Sequence, residues 1–349
     1  MPSALQRVLI TGGAGFLGSH LAQSFQSRGV GVRIFDIAER PEWALAPYIE
    51  YIRGDIRDAR AIGRAIESSD AVIHSAFASP RMAPPEIESI NVQGALETCK
   101  QALAHGVRRF VLISSTIVDK PSRVNPLLRG AALNSLDMYR RSRVRAEALV
   151  TDQGSRGLRI GIVRPKTFIG AGRVSAFTII FDWIRLGKPV LLLGKGANRY
   201  QLLEIRDMAE GIRLLAGSDA EGIFSFGAHR YGSLREDLQS LIDHAQTGSR
   251  LRFVPEQFAR MALRGVELAG MVPPSELHYM SAWDKDSIVD TSRAVQELGW
   301  QPRWSNAEAL RNAYDWYVQS IATTGKAQSI HALPVSHRRL RSLLETLLR

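Results

Sequence analysis

The chain has 349 residues, more than one hydrophobic core of usual size holds, so two domains of unequal size are expected. Hydrophobic residues make up 45% and charged residues 23%, an ordinary globular balance, and no run of about 18 uncharged apolar residues offers a membrane span. The formal net charge of +11 draws on a C-terminal segment carrying Lys326, Arg338, Arg339, Arg341 and Arg349 against Glu345; elsewhere the basic residues are dispersed without interleaved aromatics, which argues against nucleic acid. Cys99 stands alone, so no intrachain disulfide forms, and no Cys or His spacing suits a metal. A reducing, cytoplasmic setting is expected. Met1 to Ile10 holds only Arg7 and leads straight into a strand, which reads as a domain start.

In chain order, short β-branched runs alternate with longer helical patterns, the signature of βαβ units and a parallel sheet. Arg7–Thr11 reads as a strand, Gly15–Arg28 as a helix and Val32–Asp36 as the second strand. Between the first two lies Thr11-Gly12-Gly13-Ala14-Gly15-Phe16-Leu17-Gly18. Gly12 permits a tight turn, Gly15 lets the backbone approach a pyrophosphate, and Gly18 lets the helix pack closely on the strand. The helix start at Phe16 and Leu17 then aims free N–H groups at the phosphates. Asp36, about 20 residues on, is placed to accept from both ribose hydroxyls and to repel a 2′-phosphate, so the cofactor is read as NAD.

Strands follow at Ile49–Arg53 and Ala71–His74, a helix at Glu86–His105, a strand at Phe110–Ser114, a helix at Asp137–Thr151 and a strand at Arg159–Val163. Helix Ile205–Ala216 feeds a last strand, Gly222–Phe226. After Gly172 the pattern loosens: Ser175–Leu186 and Glu256–Met271 are apolar and helical, joined by turns rich in Gly and Pro. The fold class is α/β, a Rossmann doubly wound parallel sheet with a smaller, discontinuous C-terminal substrate domain. The division expected is 1–172 with about 199–228 for the NAD-binding domain, and 173–198 with 229–318 for the substrate domain. Residues 319–349 form a linker and tail helix. In that tail Leu340, Leu343, Leu344, Leu347 and Leu348 make one apolar stripe beside arginines, suited to an anionic membrane surface or to docking on its own domain or a sister subunit.

With Thr11–Gly18, Asp36 and Gly54-Asp55-Ile56, the chain resembles the extended short-chain dehydrogenase/reductase family, in particular its NAD-dependent epimerase/dehydratase group. The resemblance runs from about residue 7 to 318. It implies that Asp55 and Ile56 flank the adenine and that the loop His74-Ser75-Ala76-Phe77, through Ser75 and Ala76, passes the cofactor. Asn91, Arg164-Pro165, Gly170-Ala171-Gly172, Glu297-Leu298-Gly299-Trp300-Gln301-Pro302 and Trp316-Tyr317 resemble further family positions. The family's catalytic hydroxyl falls on Thr116, with Ser115 as the alternative, and its Tyr-x-x-x-Lys pair falls on Tyr139 and Arg143, an arginine where the family has lysine. Positions i and i+4 share a helical face, so Tyr139 and Arg143 address one cleft, and a guanidinium beside the phenol supplies positive charge without being able to pass a proton onward.

The resemblance assigns Thr167 and Arg199 to the substrate, at positions where nucleotide-sugar enzymes grip a diphosphate; a second arginine of that kind is not evident between Pro273 and Asp290. Phe253-Val254-Pro255 leads instead into an apolar segment, Phe258–Met271, as in relatives acting on steroids, hopanoid-associated substrates or flavonoids. A nucleotide-sugar epimerase or related sugar oxidoreductase is therefore the leading reading, and Ile117-Val118 speaks against a 4,6-dehydratase. A steroid or lipid-alcohol dehydrogenase comes second, and a non-catalytic NAD-sensing or scaffold protein, motivated by Arg143, third. The resemblance also implies a homodimer through the helices carrying Glu86–His105 and Tyr139–Val150.

Overall fold

The structure is a computed structural model, described for residues 5–80, 82–119, 135–173, 177–255, 257 and 285–324. The expected helix at 256–271 lies outside the described residues but for position 257, and the tail stripe at 340–348 lies outside them altogether. The described elements, in chain order, begin with β1 (Arg7–Thr11), α1 (Phe16–Gln26), β2 (Gly31–Asp36), β3 (Ile49–Arg53), α2 (Ala59–Ile66) and β4 (Ala71–His74). Next come α3 (Pro84–Glu88), a π-helical turn (Ser89–Gly94), α4 (Ala95–Ala104), β5 (Arg109–Ile113), α5 (Ser135–Gly154) and β6 (Arg159–Pro165). Then follow β7 (Thr167–Ile169), α6 (Phe177–Arg185), β8 (Val190–Leu193), β9 (Leu202–Glu204), α7 (Ile205–Ala216) and β10 (Gly222–Phe226). The last are α8 (Leu234–Ala245), β11 (Leu251–Val254), α9 (Ser292–Leu298) and α10 (Asn306–Thr324).

Contacts divide the chain into two compact units. The first takes Met1–Lys166, Ile205–Phe226 and Asp290–Gln301, and the second takes Thr167–Glu204, Gly227–Val289 and Pro302–Arg349. Where the sequence put the first boundary at 172, with a return at about 199–228, the contacts put it after Lys166 and send the chain back twice. The second return has a physical cause. Trp300, fully buried, packs against Phe226 at 4.7 Å between ring centroids and donates its indole N–H to the Asp207 carbonyl at 2.9 Å, which fastens α9 to α7 and β10.

The first unit holds a seven-stranded parallel sheet in the order β10-β6-β5-β4-β1-β2-β3. Its central strands are apolar on both faces, as a sheet covered by helices on both sides requires: β4 and β5 are buried throughout. Below one face Ile62, Ile66, Phe110 and Val150 join one core cluster with Leu9 and Phe35. Winding reverses between β1 and β4, so the strand ends Thr11 and His74 mark the switch point where ligands bind in such sheets.

In the second unit, by itself, β8 pairs with β11 and β7 with β9, each pair parallel. Its core is built from α6, α8 and α10, where Phe181 packs against Tyr314 at 5.7 Å and Tyr317 at 5.8 Å. Ser233 and Glu236 cap α8 reciprocally, each accepting from the other's backbone N–H. No described helix is long and apolar enough to cross a membrane.

Candidate active site

The glycine loop is tailored to close backbone approach. Gly12 has φ +65°, and a Cβ there would fall 2.6 Å from the Ala76 Cα. A Cβ on Gly18 would collide with the Gly13 carbonyl oxygen, so this glycine admits the loop itself rather than the strand named by the sequence reading. Gly15 caps α1 in extended backbone and offers no side chain to its N–H groups, while Phe16 and Leu17 turn inward at 6% and 8% exposure. The start of α1 thus carries no side-chain cap at Gly15, the kind of helix N-terminus at which phosphates bind.

Asp36, at the end of β2, accepts from the Ala14 N–H at 3.0 Å and from the Ala38 N–H at 2.9 Å, so its carboxylate is clamped at the mouth of the loop. Ser75 donates to the Thr11 carbonyl at 2.8 Å, and Ala76 lies against Gly12. Asp55 is bonded by Arg57, whose guanidinium holds its carboxyl below the usual range against the opposing effect of burial. Ile56 is only 7% exposed and belongs to the core cluster, where a Cβ on Gly94 would press on it.

Thr116 opens a turn, Thr116–Asp119, that packs against α5, and the Ser115 hydroxyl accepts from the Ile117 N–H at 3.3 Å. Behind them runs a buried polar chain absent from the sequence reading. Ser114 donates to Glu147, and Arg164 donates to the same carboxylate through Nε at 3.1 Å and Nη2 at 2.5 Å, and to Asp119 at 2.6 Å. The signal was Glu147 itself, one helical turn after Arg143 on the same face. Asn91, buried in the π turn, accepts from Ala78 N–H at 2.8 Å and donates to Ser142 at 2.9 Å; Ser142 donates to the Tyr139 carbonyl at 2.7 Å.

Tyr139 and Arg143 do share a face of α5. Arg143 Cζ lies 5.4 Å from the Tyr139 ring and 3.4 Å from the centroid of Phe77. Of the arginines crowding this turn in sequence, Arg141 and Arg145 are exposed, whereas Arg143 is 3% exposed. Burial pulls the Arg143 guanidinium below its usual range; the charge of Tyr139 and a hydrogen bond to it, then the charge of Glu147, act the other way. His74 shares hydrogen with the Thr11 hydroxyl at 2.9 Å and is held down to about 3, by burial first and by the charge of Arg143 second, so it is neutral.

These residues fit NAD on their own geometry: a loop in which Gly12 and Gly18 leave no room for a Cβ, a helix start without a side-chain cap, a carboxylate fixed at the end of β2, and a buried Arg143 whose Nε has no hydrogen-bond partner within the protein. Among the described residues no group of three His, Cys, Asp or Glu is gathered to hold a metal. Cys99 is buried and its thiol is pushed up to about 12 by that burial, which makes it inert.

Thr167 and Arg199 belong to the second unit. The Thr167 hydroxyl pairs with the Tyr200 hydroxyl at 2.8 Å. Arg199 donates to Asp286 through Nε at 3.1 Å and Nη2 at 2.9 Å, and its backbone N–H adds a bond to the same carboxylate at 2.7 Å. Asp286 and Tyr200 were missed by sequence reading, and nothing in their local pattern announces the pairings.

The sequence profile of the NAD dependent epimerase/dehydratase family matches residues 8–227. An uncharacterized protein, y4nG, of Sinorhizobium fredii is 32% identical over 341 residues, covering 96% of this chain and 85% of that protein. The 3 beta-hydroxysteroid dehydrogenase/Delta 5-->4-isomerase of Mycobacterium tuberculosis is 26% identical over 348 residues, covering 91% and 92%. Among solved structures, the Bordetella bronchiseptica enzyme WbmG in complex with NAD and UDP superposes with TM-score 0.70 at 19% identity, covering 95% of this chain and all of that one.

Proposed function

The chain belongs to the NAD dependent epimerase/dehydratase family, and from that premise we propose that it is a net dehydrogenase of a hydrophobic, sterol-like secondary alcohol. NAD is its cofactor. The observation that carries the substrate class is the pairing of Arg199 with Asp286. A nucleotide-sugar enzyme needs that arginine to face a diphosphate, whereas here a diphosphate would meet a carboxylate of like sign. The commitment of Thr167 to Tyr200 points the same way, as does the hydroxysteroid dehydrogenase matched along nearly its whole length.

Bound NAD supplies the acceptor for a hydride from the carbinol carbon. The protein's own part is the proton and the geometry. Tyr139, as the phenolate, takes the carbinol proton at its oxygen and becomes the phenol, and Arg143 places beside it a fixed positive charge that favours the anion. The Thr116 hydroxyl, with Ser115 as the alternative, donates to the carbinol oxygen and orients it. Ser114, Glu147 and Arg164 brace the strand end from which that hydroxyl is presented.

Incubation of the full-length protein with NAD and a panel of hydroxysteroids and UDP-sugars tests the proposal. NADH should accumulate with hydroxysteroids, and Tyr139→Phe should lower that rate by about 100-fold or more while leaving NAD affinity within about twofold. Interconversion of UDP-sugars without net NADH would instead establish the epimerase, and NAD binding without turnover of either class would establish the sensor. Turnover undiminished in Tyr139→Phe would remove the catalytic assignment.

A further inference from the structure

Phe77 leaves β4 three residues beyond its end, and its ring carries the Arg143 guanidinium at 3.4 Å from Cζ to the ring centroid. This is face contact of a planar cation on an aromatic ring, which a guanidinium makes readily and a compact ammonium does not reproduce. Arg143 needs such a partner. It is 3% exposed, its Nε is without a hydrogen-bond partner, and the neighbouring carboxylate, Glu147, already receives Ser114 and both Nε and Nη2 of Arg164. A buried guanidinium with no carboxylate of its own is costly, and beside its hydrogen bond to Tyr139 the structure sets the electron-rich face of Phe77 against it. Phe77 is itself braced: His74 meets it edge-on at 6.5 Å and stacks on Phe110 at 5.9 Å.

We infer that Phe77 is a positioning residue, an aromatic platform that sets the plane and height of the Arg143 guanidinium so that arginine can serve in the place four after Tyr139. The inference rests on the reading of Tyr139 and Arg143 as the pair facing the cofactor. Phe77 and Arg143 then form one unit, and exchanging Arg143 alone for lysine does not improve the site, because it strands an ammonium above a ring shaped for a plane.

A double-mutant cycle on the full-length protein tests this, read as the dissociation constant for NADH by fluorescence titration, with the melting temperature of each variant alongside. Phe77→Leu keeps apolar bulk and removes the aromatic face; Phe77→Met is a second non-aromatic variant, should the leucine variant fail to fold; Phe77→Tyr keeps the face. The non-aromatic changes should weaken NADH binding about tenfold, and Phe77→Tyr should stay within about twofold. In an Arg143→Lys background the same non-aromatic changes should matter less than about twofold. Equal losses in both backgrounds would show that Phe77 acts by packing alone and would overturn the inference, as would NADH binding unchanged in both non-aromatic variants. These measurements need no turnover, so an absence of dehydrogenase activity would sink the proposed function and leave this test standing.

Discussion

At the scale of single residues, Asp36 carries the sharpest expectation. Its carboxylate is held by two backbone amides, from Ala14 in the glycine loop and from Ala38 beyond β2, so it cannot swing away from an incoming 2′-phosphate. A fixed negative charge facing a phosphate disfavours NADP, which makes NAD the better ligand by an order of magnitude or more on the scale of about 1.4 kcal/mol per tenfold. Asp36→Ala should therefore narrow the NAD preference, at some cost in NAD affinity because the loop loses its clamp. Competitive titration of both cofactors against wild type and variant checks this, and equal affinity for the two in the wild type would refute it. The placement of Asp36 at the end of β2 and of the glycines between β1 and α1 was legible because the motif is local: a turn, a helix start and one carboxylate at a set distance. Phe77 and Asp286 were not, since each acquires its role from a partner far along the chain, respectively Arg143 and Arg199, whereas Glu147, bonded to Arg164, had its signal in standing one turn after Arg143.

At the scale of elements, legibility followed periodicity. Strands Ile49–Arg53, Ala71–His74 and Gly222–Phe226 and helix Ile205–Ala216 stand where the sequence put them, because buried strands and amphipathic helices each impose a clear pattern. The three- and four-residue strands β7, β8, β9 and β11 are too short to show one. Helices α2 and α8 escaped notice although each announces itself, α2 by Asp58 accepting from the N–H groups of Arg60 and Ala61, α8 by the Ser233 and Glu236 capping box. The seam between β1 and β4 gives a prediction of its own. His74 lies on it, fully buried, bonded to Thr11, facing the cation of Arg143, and neutral with its pKa near 3. In the unfolded chain an ordinary histidine takes a proton below about pH 6.5. The depressed folded value means that this contribution is complete above pH 6.5 and is lost as pH falls from there towards 3, at up to about 1.4 kcal/mol per pH unit. Paired carboxylates such as Asp55 and Asp70, both held below their usual range, weaken the fold in the same direction at lower pH still. His74→Asn removes only the histidine share. Urea unfolding at pH 7, 6, 5 and 4 should show wild type losing stability faster than the variant between 6 and 4; parallel curves would show that His74 protonates in the folded state after all.

At the scale of the whole molecule, the chain passes from one unit to the other five times, so neither unit is a contiguous piece of sequence. The consequence is sharpest for the first unit, because the elements we assign to NAD all lie before Lys166 while its sheet is not finished there. Strand β10 closes the sheet beside β6, and α7 covers the face where Leu215 presses on Gly161 and where Met208 and Ile212 are completely buried. A fragment ending at residue 166 leaves β6 as a bare edge and exposes that face, and burying each such side chain is worth about 1.5–3 kcal/mol. Losing several at once is comparable with the whole stability of a typical domain, about 5–15 kcal/mol. The fragment should therefore aggregate or lack fixed tertiary structure and bind no NADH, although every residue of the glycine loop, Asp36, Tyr139 and Arg143 is present. Supplying residues 205–226 by extending the fragment through Gly227 restores the missing strand and helix, and should recover part of the near-ultraviolet circular dichroism and measurable NADH binding. A fragment of residues 1–166 that binds NADH like the full chain would show that the cofactor site needs only its own motifs, and that the later returns of the chain serve the second unit alone.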